Sequence, residues 1–264
     1  MESLGGAGGW FDQLLLVSLA SARFGFALVL VPLFSSETIP PLVRNSLILT
    51  LGACAFMMAP PIDPAALGAF TWARLLLKEA ATGLVIGFFF GTILWAMEAA
   101  GEIVDVKIGA TLGQIIEPQA GNQVSLNGAL LGRLAHVLFA SAGGIMLLVG
   151  TILESFAIWP MTADWPTLDM RGLAIFEGEF SRLMVLSVLF ASPAIVFLYV
   201  IDAGLGLLNR FAQQLNVFSL SLSIKAWAAG LLMLMLVPVF AEAVFRDLAT
   251  RNDLVRAVIG GLAR

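Results

Sequence analysis

Apolar residues fall in six runs separated by polar connections. The first, 14–34, is interrupted by Arg23 and Pro32, and the second, 46–60, is short. The third, 80–97, carries no charge, and the fourth, 134–153, holds His136 as its titratable group. The fifth, 183–201, and the sixth, 226–241, are uncharged but contain Pro193 and Pro238. A helix needs about 20 apolar residues to cross the hydrocarbon core of a bilayer. The pattern predicts an all-α, polytopic membrane protein. Three runs approach full span length, the second and sixth fall short, and the first carries a charge at its middle.

That charge changes the picture. An arginine at the centre of a lone spanning helix costs at least about 2.5–3.5 kcal/mol, so Arg23 must face protein, water or a headgroup. Short and proline-broken runs are tolerated where the freed backbone is buried in protein. Together these features predict bent helices packed inside a larger assembly.

The connections add detail. Residues 98–133 read as a long polar connection with Glu98, Glu102, Asp105, Lys107 and Glu117. Residues 159–179 read as acidic and turn-rich, with Pro160, Pro166, Asp164 and Asp169. From Glu242 onward, Val244, Leu248, Val255, Ile259 and Leu262 recur at roughly helical spacing among charged residues, which predicts an amphipathic surface helix over 242–264. The chain otherwise reads as a single membrane domain over 1–264. Arg246, Arg251, Arg256 and Arg264 favour a cytoplasmic C-terminus. Residues 1–9 hold Glu2 and no basic residue, so direct insertion without a cleaved leader is expected.

Composition agrees with the membrane reading. The chain of 264 residues is 59% hydrophobic and 12% charged, with a mean hydropathy of +0.96. Soluble domains carry roughly twice that charge. Fourteen Lys and Arg against eighteen Asp and Glu give a net charge of −4. No basic stripe is available to neutralise phosphates, so nucleic acid is not an expected partner.

Motifs for catalysis are missing from the sequence. No G-x-x-x-x-G-K-[ST] follows the N-terminal glycines, and there is no H-E-x-x-H. A single histidine cannot build a multi-histidine metal site, and His136 reads as a hydrogen-bonded residue near a helix end. Asp202 lacks a second aspartate in an equivalent apolar position, as an aspartyl protease pair would need. Cys54 is expected to be a small buried residue. Neither an enzyme nor a cofactor or metal site is expected. Gly83, Gly87 and Gly91 repeat every four residues, which puts them on one helix face and predicts a close helix–helix contact at a subunit interface.

The stretch 204–218, Gly-Leu-Gly-Leu-Leu-Asn-Arg-Phe-Ala-Gln-Gln-Leu-Asn-Val-Phe, resembles a signature of the SctT/FliR family, the export-gate subunits of type III secretion systems and flagella. Support lies along the chain in the right order. It comes from Ile39-Pro40-Pro41-Leu42-Val43-Arg44, from 101–109 followed by Glu117-Pro118, and from Ser155-Phe156 and Trp159-Pro160. The wording around Asn209 and the Trp-Pro pair is more similar to the injectisome branch. Gln213 and Ser223 stand where the family often has proline, and Gln213 leaves a backbone N–H that proline would not carry.

The resemblance implies a non-enzymatic subunit of bent helical hairpins in the bacterial inner membrane. Its implied partners are SctR-like, SctS-like and SctU-like subunits, with unfolded secreted proteins as cargo. It also implies that the central loop lies in the pore. Locally, Gly109, Gly113 and Gly121 permit unusual backbone angles and Pro118 disfavours a continuing helix. A pore plug over 109–125, with Glu117 inside it, is therefore expected. Asn209, Arg210, Gln213, Gln214 and Asn216 form a dense polar cluster between apolar runs and are expected at a subunit interface. Arg23 and the short second run predict a chain that is unstable or misplaced without its partners. The alternative is a small-solute transporter, for which Pro32, Pro193 and Pro238 would mark broken helices around a midplane site.

Overall fold

The computed structural model describes residues 7–58, 68–109, 125–163, 170–211 and 217–262. Among them are seven α-helices and a short 3-10 turn. Helix α1 spans Ala7–Leu30 and ends where Pro32, without a backbone N–H, opens the 3-10 turn Pro32–Phe34. Helix α2, Pro41–Met58, starts on a proline, whose fixed φ suits a first helical position. Helix α3, Ala69–Ile108, runs 40 residues. It stops at Gly109, whose φ of +94° is the left-handed conformation that glycine adopts without a Cβ penalty.

Helix α4, Leu126–Ser141, begins at Ser125, whose hydroxyl accepts from the Gly128 N–H at 3.0 Å. The turn Ala142-Gly143, with Gly143 at φ +79°, breaks the fourth apolar run and starts helix α5, Gly144–Ile158. Helices α6, Met170–Phe211, and α7, Val217–Leu262, follow. Among the described residues, four helices are long and apolar enough to cross a membrane, and α4 with α5 make a fifth if they count as one broken span.

The helices do not coincide with the six runs. The polar stretch 98–133 is helical at both ends, through Ile108 and from Leu126. Neither Pro193 nor Pro238 breaks its helix. At Pro193 the physical reason is visible. The proline cannot donate to the Leu189 carbonyl, and the Ser192 hydroxyl donates to that oxygen instead, at 2.8 Å. Residues 242–262 continue α7.

Two compact units emerge. The first comprises 1–91, 143–179 and 249–264, and the second 92–142 and 180–248. The first buries Leu16, Phe24 and Leu28 of α1, Ile86 and Phe89 of α3, and Leu148 and Ile152 of α5. Phe24 stacks on Phe156 at 6.1 Å between ring centres. The second buries Met97 and Val104 of α3, Leu131 and Phe139 of α4, Leu198 of α6 and Met233 of α7. Phe190 and Phe240 join α6 to α7 edge to face at 5.7 Å.

Candidate functional site: buried ion clusters and a clamped loop base

In the first unit, Arg23 of α1 is fully buried, and each of its three guanidinium nitrogens donates a hydrogen bond. Its Nε donates to Glu79 Oε2 at 2.6 Å and one Nη to Glu79 Oε1 at 3.0 Å. This two-point grip on a carboxylate is the strongest side-chain arrangement available to arginine. The remaining donors reach the Ser155 hydroxyl at 2.8 Å and the Trp159 carbonyl at 3.0 Å. The guanidinium lies 3.9 Å from the centre of the Phe156 ring.

Lys78 completes the cluster. Its ammonium donates to the carbonyls of Pro160 at 2.7 Å, Met161 at 2.6 Å and Ala163 at 3.3 Å, and lies 3.2 Å from Glu79. The backbone after α5 has turned out of helical geometry and presents carbonyls with no helical donor. Two cations satisfy them, and positive charge is favourable at that end of a helix dipole. The demand that Arg23 face protein, water or a headgroup is met by protein of its own chain. The expectation that only partner subunits could relieve it is corrected: Glu79, Ser155 and Trp159 do so. A second buried pair in this unit joins Arg251 to Glu179 at 2.6 Å.

Gly83 and Gly87 lie on α3 against the α1 backbone. A methyl group at Gly83 would collide with the Arg23 carbonyl, and one at Gly87 with the Ala27 carbonyl. The close approach predicted by their spacing is therefore made inside the chain, onto α1, in place of the subunit interface expected for them. Gly91 is buried on the same helix. Cys54, expected buried, is exposed, because α2 packs mainly through Gly52 on Ser21 and leaves most of its surface uncovered.

In the second unit, Asp105 holds the end of α3 to the start of α4. One carboxylate oxygen accepts from the Ser125 hydroxyl at 2.6 Å and the Asn127 N–H at 2.9 Å, and the other from the Asn127 side-chain amide at 2.5 Å. A carboxylate at a helix N-terminus satisfies free N–H groups and opposes the positive end of the dipole. Gly101 lets the Asn127 backbone come close, since a Cβ there would collide with it. Asp105, four residues before Gly109, thus ties the last turn of α3 to Ser125 and Asn127 at the start of α4.

Lys107, two residues before that boundary, pairs with Asp202 of α6 at 2.9 Å, and Lys225 of α7 pairs with the same carboxylate at 3.1 Å. Lys107 also lies 3.6 Å from the Tyr199 ring centre. Arg182 of α6 pairs with Asp247 of α7 further along.

Of the residues expected in a plug, Gly109 is placed at the end of α3. Gly113, Glu117, Pro118 and Gly121 lie outside the described residues. Of the polar cluster, Asn209 and Arg210 are exposed at the end of α6, and Gln213, Gln214 and Asn216 lie outside the described residues. The sequence reading passed over Lys78, Glu79 and the clamp made by Asp105. A signal existed: a buried arginine demands a carboxylate on a packed neighbour, and Glu79 directly precedes the uncharged run 80–97.

The profile of the bacterial export proteins, family 1, matches residues 14–250. The chain belongs to that family. Among curated relatives, the Yop proteins translocation protein T of Yersinia pestis is 31% identical over 221 residues, covering 83% of this chain and 85% of the relative. The surface presentation of antigens protein SpaR of Salmonella typhimurium is 33% identical over 239 residues, covering 86% and 87%. The flagellar biosynthetic protein FliR of Bacillus subtilis is 27% identical over 221 residues, covering 81% and 82%. The resemblance to the SctT/FliR family therefore extends along most of the chain, and its long apolar helices make this export protein a multi-pass inner-membrane protein.

Proposed function

We propose that the chain is a structural, non-catalytic subunit of a type III secretion export gate, on the injectisome side of its family. The carrying observation is the family match across 14–250, with relatives, matched over most of their length, named for translocation and secretion apparatus. The buried charges support a scaffold role. Arg23, Lys78 and Glu79 are sealed and bonded to protein groups, which suits fixing helices and not binding a passing solute. A small-solute transporter needs a polar midplane site open to its substrate.

The gate role assigns SctR-like, SctS-like and SctU-like proteins as neighbours and unfolded secreted proteins as cargo. Segment 109–125 acts as a plug of the closed pore, and the clamp at its base supports this by fixing where the segment leaves and re-enters the helices. The polar residues 209–216 contact neighbouring subunits.

Deleting 113–119 tests the plug. The assembled complex should then leak ions or small solutes across the inner membrane. A deletion that assembles and leaks nothing contradicts the plug assignment.

A further inference from the structure

The α6–α7 pair carries charged contacts at two levels and none between them. Arg182 meets Asp247 at one level, where α7 also carries the exposed Glu242–Arg246 pair, and Asp202 meets Lys225 and Lys107 at the other. Phe190 on Phe240 lies between. These pairings share one antiparallel register, so the helices stay in step along the hairpin. Between the levels, 183–201 of α6 and 226–241 of α7 hold no charged residue. At 1.5 Å per residue these stretches are roughly 28 and 24 Å long. A bilayer hydrocarbon core is about 30 Å thick.

The outward face has the chemistry of a lipid surface. Val185, Val188 and Val196 of α6 and Leu231, Leu234 and Val239 of α7 are all more than half exposed. A groove of about 960 Å³ walled by Leu130, Trp227 and Leu231 continues this apolar surface. The two serines within the α6 stretch are satisfied by their own helix: Ser187 donates to the Leu183 carbonyl and Ser192 to the Leu189 carbonyl, both at 2.8 Å. Hydrocarbon demands such internal satisfaction, because it offers no hydrogen bonds. At the Asp202 level, Tyr199 and Trp227 stand exposed beside the ion cluster. Tyrosine and tryptophan collect at membrane–water boundaries, where their rings meet both phases.

We infer that the α6–α7 hairpin is the lipid-contacting span of the unassembled chain. The level of Arg182, Glu242 and Asp247 and the Lys107–Asp202–Lys225 cluster mark the two edges of the hydrocarbon. Residues of α6 beyond Asp202, including Asn209 and Arg210, stand outside it. The inference depends on membrane residence alone, and not on the export-gate assignment.

The full chain, purified without other subunits and reconstituted in vesicles of phosphatidylethanolamine and phosphatidylglycerol, provides the test. In a Cys54→Ala background, single cysteines replace Val188, Leu234 and Leu207 and receive a nitroxide label. All three positions are exposed, so the labels displace no packed side chain. Collision rates with oxygen and with a water-soluble nickel chelate separate lipid, water and protein surroundings. Labels at 188 and 234 should show an oxygen-to-nickel ratio several-fold above that at 207. High nickel access at 188 and 234 would mean water. Low access to both reagents would mean a covering of protein, by a second copy. Either overturns the inference, and a circular-dichroism helix content equal to the parent's is the condition for scoring a variant.

Discussion

Arg23 and Glu79, separated by 56 positions in the chain, are joined by two hydrogen bonds at a site closed to solvent. The pair ties α1 to α3, and through Ser155 and the Trp159 carbonyl it ties both to the end of α5. Removing one member of a buried ion pair costs about 3–5 kcal/mol, because the other charge is stranded. Glu79→Gln should therefore lower the amount of protease-resistant protein in membranes. Replacing both partners, with Arg23→Met and Glu79→Leu together, should recover part of the loss, since no unpaired guanidinium remains. A Glu79→Gln protein as resistant as the parent would remove the pair from the account.

Gly83 and Gly87 hold α3 against the α1 backbone. Gly87→Leu should force the two helices apart, at a cost at or above the roughly 1–3 kcal/mol typical of overpacking. The measurement is the amount of protease-resistant protein in membranes, which Gly87→Leu should lower and Gly150→Leu, at a position where a Cβ meets no neighbour, should not. Resistance of the Gly87→Leu protein equal to the parent's contradicts the contact.

Asp105 satisfies the start of α4 and closes the base of the central segment. Asp105→Ala strands the Asn127 N–H and removes a cap-like acceptor, a loss of about 0.5–2 kcal/mol. Limited proteolysis in membranes should show faster cutting between Gly109 and Ser125, with the rest of the chain intact. An unchanged cutting rate would show that the clamp does not govern the segment.

Arg210 is exposed at the end of α6. Polar contacts between membrane helices average about 0.6 kcal/mol, so Arg210→Ala should weaken the recovery of neighbouring subunits without abolishing it. The effect grows if the arginine faces a partner carboxylate. Full recovery and normal secretion would assign Arg210 to the lipid headgroups.

The helical class and the membrane setting were legible because they follow from long apolar runs. The need of Arg23 for a polar neighbour was legible from its place in run 14–34. The identity of that neighbour was not. Lys78 and Glu79 sit at the margin of an uncharged run, where charges ordinarily mark the edge of a span, and here they turn inward to α1 and the turn after α5. Residues 98–108 read as a loop because of their charges, yet Asp105 and Lys107 are consumed in contacts to α4 and α6. Pro193 reads as a break, but Ser192 supplies the missing donor from the adjacent position. Local pattern reports what a segment prefers, and these three cases depend on which segment packs beside it.

The central claim is that this chain works as one subunit of a multi-protein export gate. Purification of the tagged, full-length chain in mild detergent from cells carrying the whole secretion system tests it most directly. The account predicts that SctR-like and SctS-like subunits co-elute with it in one complex, identified by mass spectrometry of the peak. A chain that elutes alone, stable and in a single form, would contradict the account and revive the transporter.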